Sequence, residues 1–305
     1  MRHKPSIAIT LPGLEMENPT MIASGVLGLS SKVFYESLDN GAGAIVTKSV
    51  SLNPIAGYRN PTFVAVPYGY LNAIGLSNPG ASVFLEELSL LKKNTPIVVS
   101  LFADSSSNFK RLAEIMDESC AKAYELNLSC PHVKKGGFEI GHKPKLVNEI
   151  VNTVSSATKR PIYVKISPNV SDPVEIAKAA EKGGAAAITA TNTIRGMAID
   201  VKTGVPILTN KVGGLSGPAL KPISLRCVYE ISKNIDIPVI GCGGISNWKD
   251  AVEYLMAGAS AVQIGSAIAS YSTSVFNQIG EGLRQYLKEK SYRSVSELIG
   301  LSHKI

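Results

Sequence analysis

Nowhere in the 305 residues is there an apolar run approaching the roughly 18 positions that a membrane-spanning helix needs. The opening decapeptide, MRHKPSIAIT, carries charge but no apolar stretch of signal-peptide length. Cysteine is scarce: the chain has Cys120, Cys130, Cys227 and Cys242, and no two of them form a C-x-x-C pair. That argues against a zinc site and against an iron–sulfur cluster held by this chain alone. In a reducing compartment they are free thiols, three of them core filler. The positive charge, 31 basic minus 24 acidic side chains or +7, has no focus. Lys92-Lys93 and Lys134-Lys135 are only pairs, without interleaved aromatics, which points to a solvated surface rather than a nucleic-acid footprint. Also missing is a G-x-G-x-x-G turn between a strand and a helix. Gly41-Ala42-Gly43 stands before a strand, the wrong order for a dinucleotide fingerprint. With no linker, low-complexity tract or exact repeat, residues 1–305 read as a single domain, cytoplasmic, with neither a membrane nor a nucleic acid as partner.

What is present is a rhythm. Eight short apolar runs recur: Met21-Ile22-Ala23, Ala44-Ile45-Val46, Ile97-Val98-Val99, Tyr124-Glu125-Leu126, Ile162-Tyr163-Val164, Ala187-Ile188-Thr189, Val239-Ile240-Gly241 and Val262-Gln263-Ile264. Helical patterns fall at 32–39, 81–93, 107–117, 145–157, 173–182, 221–233, 247–257 and 273–289. Strand and helix in alternation give parallel βαβ units, and eight units predict an α/β fold of the closed (β/α)8, or TIM-barrel, kind. Residues 6–10, the Pro12-Gly13 turn and Leu14-Glu15-Met16 predict an N-terminal hairpin under the barrel floor. Two connections, 50–80 and 192–220, are longer than barrel loops usually are. Both leave strand C-termini, the catalytic face of such barrels, and so predict walls or lids over a ligand.

The residues just past each run carry the chemistry. Gly243-Gly244 and Gly265-Ser266 each precede a helix, and Gly213-Gly214-Leu215-Ser216-Gly217 precedes another. Any one glycine turn is ordinary loop geometry, but three that converge predict backbone N–H groups around a cofactor phosphate. Lys48 and Lys165 each end an apolar strand. A lysine there needs negative charge, either a structural ion pair or the electron-rich edge of a flavin.

Cys130 stands apart from the other thiols. Ser129 and Asn127 flank it as donors, Lys134 and Lys135 follow, Pro131 stiffens the turn and Gly136-Gly137 offers a hinge. A polar, electropositive setting favours thiolate, which suits removal of a carbon-bound proton beside a flavin. An inert buried thiol and a covalent nucleophile, with His132 as the near base, are the other two readings.

These segments resemble the class 1 dihydroorotate dehydrogenases nearly from end to end. Leu126-Asn127-Leu128-Ser129-Cys130-Pro131 looks like their catalytic loop, and residues 71–80, LNAIGLSNPG, look like their substrate loop. Residues 192–200, NTIRGMAID, and 213–220, GGLSGPAL, resemble the B subtype in particular. The resemblance implies FMN, held by Ser24, Gly25, Lys48, Ser49, Asn127, Lys165, Gly217, Gly243, Gly244, Gly265 and Ser266. It implies a dihydropyrimidine against Lys48, Asn72, Ile74, Gly75, Leu76, Asn127, Asn192 and Thr193, with Cys130 as the catalytic base taking a C5 proton as the C6 hydride passes to the flavin. It further implies an electron-transfer subunit with FAD and an iron–sulfur cluster, which relays electrons to NAD, and a homodimer within a heterotetramer. No metal is expected on this chain.

Two departures stand out. His132 replaces the usual Asn after Cys-Pro, as it does in the related FMN domain of dihydropyrimidine dehydrogenases, and Gly57-Tyr58-Arg59-Asn60-Pro61-Thr62-Phe63 replaces a Gly-Asn-Pro-x-Pro-Arg stretch. Reduction of uracil or thymine is therefore the rival activity. A tRNA dihydrouridine synthase predicts a concentrated basic face and an extra helical domain, and an aldolase-like barrel predicts a colourless protein.

Overall fold

A computed structural model describes residues 5–128 and 140–304. The hairpin is β1 (Ile9–Leu11) against β2 (Leu14–Met16). Barrel strands β3 (Thr20–Ile22) and β4 (Ala44–Val46) follow, then an excursion carrying β5 (Phe63–Val66) and β6 (Gly69–Asn72). The barrel resumes with β7 (Ile97–Leu101), β8 (Ala123–Asn127), β9 (Ile162–Ile166) and β10 (Ala187–Ala190). A second excursion contains β11 (Ile194–Gly196), β12 (Ile199–Asp200), β13 (Val205–Pro206) and β14 (Gly213–Ser216). Last come β15 (Val239–Cys242) and β16 (Ala259–Ile264), and β16 pairs back onto β3. All pairings around the ring are parallel and closed, so the barrel has no exposed edge. Each of the eight apolar runs contributes a barrel strand.

Outside the barrel lie α1 (Ser31–Asp39), α2 (Ala81–Ser89), α3 (Ser106–Met116), α4 (Pro144–Ser155), α5 (Pro173–Lys182), α6 (Lys221–Ser232), α7 (Trp248–Met256), the short α8 (Ala267–Tyr271) and α9 (Ser274–Glu289). Their starts follow local chemistry. Asp172 accepts the N–H groups of Val174 and Glu175, with Pro173 in the first turn of α5. Asn247 caps α7 through the N–H groups of Lys249 and Asp250. Val275, Phe276, Ile279, Leu283 and Leu287 recur at helical spacing and form the buried stripe of α9. The separate helix α8 was not legible as an element of its own.

The pleat sends alternate side chains into the barrel, and their character changes from floor to mouth. The lowest layer is apolar: Met21, Ala44, Ala123, Tyr163, Ala187, Ile240 and Ala261 pack on Leu11, Leu14 and Met16 of the hairpin. The Tyr163 hydroxyl donates to the Pro12 carbonyl at 2.8 Å, tying floor to hairpin turn. Two residues further along their strands, Glu125, Lys165, Thr189 and Gln263 form a buried polar layer. Two further again come Asn127, Ser167, Thr191 and Gly265, at the mouth.

The two long excursions are not independent loops. β6 pairs with β14 and β14 with β11, giving the antiparallel order β11-β14-β6-β5, in which Asn72 lies opposite Gly214 and Leu71 opposite Leu215. Leu71, Ala73 and Leu208 are its small core. The expected walls are thus one joint sheet, set against the barrel mouth.

Candidate functional site

A cavity of about 510 Å³ opens among these strand ends and the joint sheet. Its lining brings together Ser24, Gly25, Lys48, Asn127, Lys165, Gly243, Gly244, Gly265 and Ser266 from the barrel. Asn72, Ile74, Gly75, Leu76, Asn192 and Thr193 join them from the two excursions. Of the residues singled out in the sequence, Ser49 and Gly217 do not line it. The Ser49 hydroxyl is buried against Ser100 at 2.9 Å and accepts from the Asn127 amide at 3.0 Å, so it stands behind Asn127. Gly217 stands behind Gly244: a Cβ added to Gly244 would come within 2.7 Å of the Gly217 carbonyl oxygen. Arg59 is exposed and does not line the cavity. Cys130, with Ser129, Pro131, His132, Lys134, Lys135, Gly136 and Gly137, lies outside the described residues.

The amides are held by their neighbours. Asn72 donates to the Gly214 carbonyl at 3.2 Å, across the joint sheet. Asn192 accepts the Thr193 N–H at 2.8 Å. Asn169, which the sequence reading passed over, donates to the Ser167 hydroxyl and the Thr193 carbonyl and accepts from the Arg195 N–H at 2.9 Å. It fastens the end of β9 to the second excursion, and both it and Arg195 line the cavity. A signal for it existed, since it is a further amide three residues past a barrel strand.

Gly243 and Gly244 have φ of 138° and 67°, and the Cβ of any side chain at Gly244 would also crowd Lys221. Bare backbone is therefore what this turn can offer the cavity. The helix behind it is already satisfied. Asp250, in the first turn of α7, accepts from Ser246, Asn247 and Lys221, the last at 2.7 Å. These bonds hold its carboxyl below the usual range despite the opposing effect of burial. After β16 the short α8 follows Ser266, which gives it no side-chain cap. Loops after the seventh and eighth strands and a short extra helix are the phosphate cradle that (β/α)8 barrels commonly build. The described residues thus fit a phosphorylated ring cofactor.

The two lysines differ. Burial lowers the Lys48 ammonium from its ordinary value, and the structure gives it no carboxylate partner among the described residues. Lys165 is buried, donates to Gln263 Oε1 at 2.9 Å and lies 3.9 Å from Glu125 Oε1. Burial alone lowers it too, but Cys242 and Glu125 outweigh that and hold it raised. Burial raises the Cys242 thiol, leaving it uncharged near neutrality, so the anion that matters is Glu125. At 3.9 Å and an effective dielectric near 20, the attraction is about 4 kcal/mol. Desolvation of the two ions costs several kcal/mol, so the pair contributes little net stability. Its hydrogen bonds give it a defined geometry instead.

A family model described as dihydroorotate dehydrogenase matches residues 6–287. A protein of Pyrococcus abyssi is 49% identical over 299 residues, 98% of this chain and 100% of its own length. Another from Thermococcus kodakarensis is 47% identical, covering 97% and 98%, and one from Methanosarcina mazei is 43% identical, covering 100% and 98%. All three are named dihydroorotate dehydrogenase B (NAD(+)), catalytic subunit.

Proposed function

The chain belongs to the dihydroorotate dehydrogenase family and is an oxidoreductase of pyrimidine biosynthesis that converts dihydroorotate to orotate; we propose that it uses FMN in the cavity at the barrel mouth and Cys130 as the acid/base. The observation that supports this reading is the convergence on one cavity of two lysines, the bare Gly243-Gly244 turn and four amides, Asn72, Asn127, Asn169 and Asn192. Amides offer both a donor and an acceptor, which matches a ring edge of alternating N–H and C=O groups. Lys48, partly buried and without a carboxylate partner among the described residues, suits an anionic substrate. Ser24, Gly25, Lys165, Gly243, Gly244, Gly265 and Ser266 would hold the cofactor, with Ser49 and Gly217 acting from behind.

FMN, when bound, supplies the acceptor for the hydride that leaves C6. The chain's own part is to hold the ring by Asn72, Asn127, Asn192 and Thr193, and to remove the C5 proton at the Cys130 sulfur. Loss of that proton and that hydride together accounts for the new C=C bond of orotate. The matched relatives are called catalytic subunits, which supports a partner subunit. We assign to that partner FAD and an iron–sulfur cluster passing electrons to NAD, and to this chain a single barrel domain, 1–305, that forms a homodimer within a heterotetramer. Among the described residues no helix is long and apolar enough to cross a membrane, in keeping with a cytoplasmic setting.

The test is anaerobic mixing of the yellow protein with dihydroorotate. Rapid bleaching of the flavin band is expected, and Cys130→Ala should keep its colour yet bleach at least ~100-fold more slowly, within the usual range for loss of an acid/base group. Bleaching of C130A at the parent rate would remove Cys130 from the mechanism. Turnover of uracil without turnover of dihydroorotate would overturn the substrate.

A further inference from the structure

Inside the barrel, one layer below the cavity, a side-chain chain leads to Lys165. Glu125 on β8 is fully buried. Its Oε2 accepts from the Thr189 hydroxyl at 2.8 Å and from the Gln263 amide at 2.6 Å, while its Oε1 accepts no hydrogen bond and lies 3.9 Å from Lys165 Nζ. An amide has one donating and one accepting end. Because Gln263 Nε2 must face the carboxylate, its Oε1 is left for Lys165, which donates to it at 2.9 Å. Glu125 therefore fixes which way Gln263 points, and Gln263 fixes the ammonium. Below this layer the barrel is closed by apolar side chains and the hairpin, so only the cavity side remains for the rest of the ammonium's donors.

We infer that Glu125 and Gln263 are positioning residues for the cofactor: they hold Lys165 as a charged donor at the cavity, and that charge sets how readily the flavin is reduced. This rests on the FMN reading of the cavity and adds to it two residues that touch neither substrate nor cofactor. The titratable groups around Lys165 are Glu125 on β8, Cys242 on β15 and Tyr163 on its own strand, with Lys48 of the segment after β4 lining the same cavity. Burial raises both the Cys242 thiol and the Tyr163 hydroxyl, and Lys48 is a cation or neutral. That leaves Glu125 as the anion that keeps a buried lysine protonated. A fully buried lysine without a counter-ion loses its proton several pH units early.

The experiment is a redox titration of the flavin-loaded protein against reference dyes from about pH 5 to 10, a range that runs from the ~5–6 reached by fully buried, unpaired lysines up towards the ordinary lysine value. In the parent, Lys165 stays charged and adds no bend to the curve. In Glu125→Gln, Lys165 loses its proton within the window and adds a bend. Across it the equilibrium constant for reduction falls about tenfold more than in the parent, some ~30 mV for a two-electron couple. Gln263→Met removes the intermediary but leaves the charge, so it adds no bend and instead releases flavin several-fold faster on dilution. Should E125Q not fold, Glu125→Asp, which withdraws the carboxylate by one methylene, shows a weaker bend. An E125Q (or E125D) curve that overlays the parent, or a Q263M protein that keeps flavin as tightly as the parent, overturns the inference. A parent protein that binds no flavin at all overturns the FMN reading instead, and the two failures are thereby distinct.

Discussion

Lys48, two residues past β4, and Lys165, within β9, both line the cavity, yet their surroundings give them different tasks. Lys165 has Glu125 and Gln263, whereas Lys48 has burial and no described carboxylate partner. A lysine whose pKa is lowered carries its charge only below that lowered value, so attraction for an anionic substrate is strongest on the acid side of it. It fades as pH rises, and does so before the ordinary lysine value of 10.5 is reached. The KM for dihydroorotate is accordingly expected to climb on the alkaline side. Lys48→Met should flatten that limb and raise KM by roughly 10- to 100-fold, the usual cost of a hydrogen bond to a charged group. A steady-state pH series on both proteins measures this. The strand-end lysines stood out in the sequence because lysine seldom ends an apolar run without purpose. Glu125 and Gln263 did not, although each interrupts such a run, because nothing in the linear chain says which buried polar residues face one another.

At the level of turns and strands, the glycine segments fit together in a way their spacing did not show. Gly217 supports Gly244, and Gly244 presents its backbone to the cavity. Gly244→Ala combines a positive φ of 67° with a Cβ that collides with Gly217 and Lys221, so the turn must open. Loss of most bound flavin with an unchanged circular dichroism spectrum is expected, read from the visible absorbance of the purified protein. In the joint sheet, Gly214 lies where a Cβ would run into the Thr193 side chain. Gly214→Ala should therefore raise the KM for dihydroorotate while leaving flavin content intact, and a steady-state assay with a flavin count separates the two. The long excursions were recognisable as walls from length and composition alone. Their strands were not, because β6 and β14 are stabilised by each other across about 140 intervening residues.

Across the barrel as a unit, stability and chemistry sit at opposite ends. The hairpin residues Leu11, Leu14 and Met16 fill the floor, and the ligand-facing groups crowd the mouth, the division expected of this architecture. Leu14→Ala leaves a cavity in a well-packed layer and should cost about 2–5 kcal/mol. Denaturant unfolding would show that loss, while turnover per folded molecule stays at the parent level. A fall in turnover of the folded protein would mean that floor and mouth are coupled after all.

The order of strands and helices, the barrel they close and the places where chemistry leaves the strands were written in the chain. Each depends on periodicity and on the residues next in line, and local physics reads both. Which excursion pairs with which, why Ser49 and Gly217 stand behind the lining, and how Glu125 governs Lys165 through Gln263 depend on side chains that meet only once the ring has closed. Glu125 and Gln263 are 138 residues apart, and no pattern along a linear chain records a contact made across the inside of a barrel.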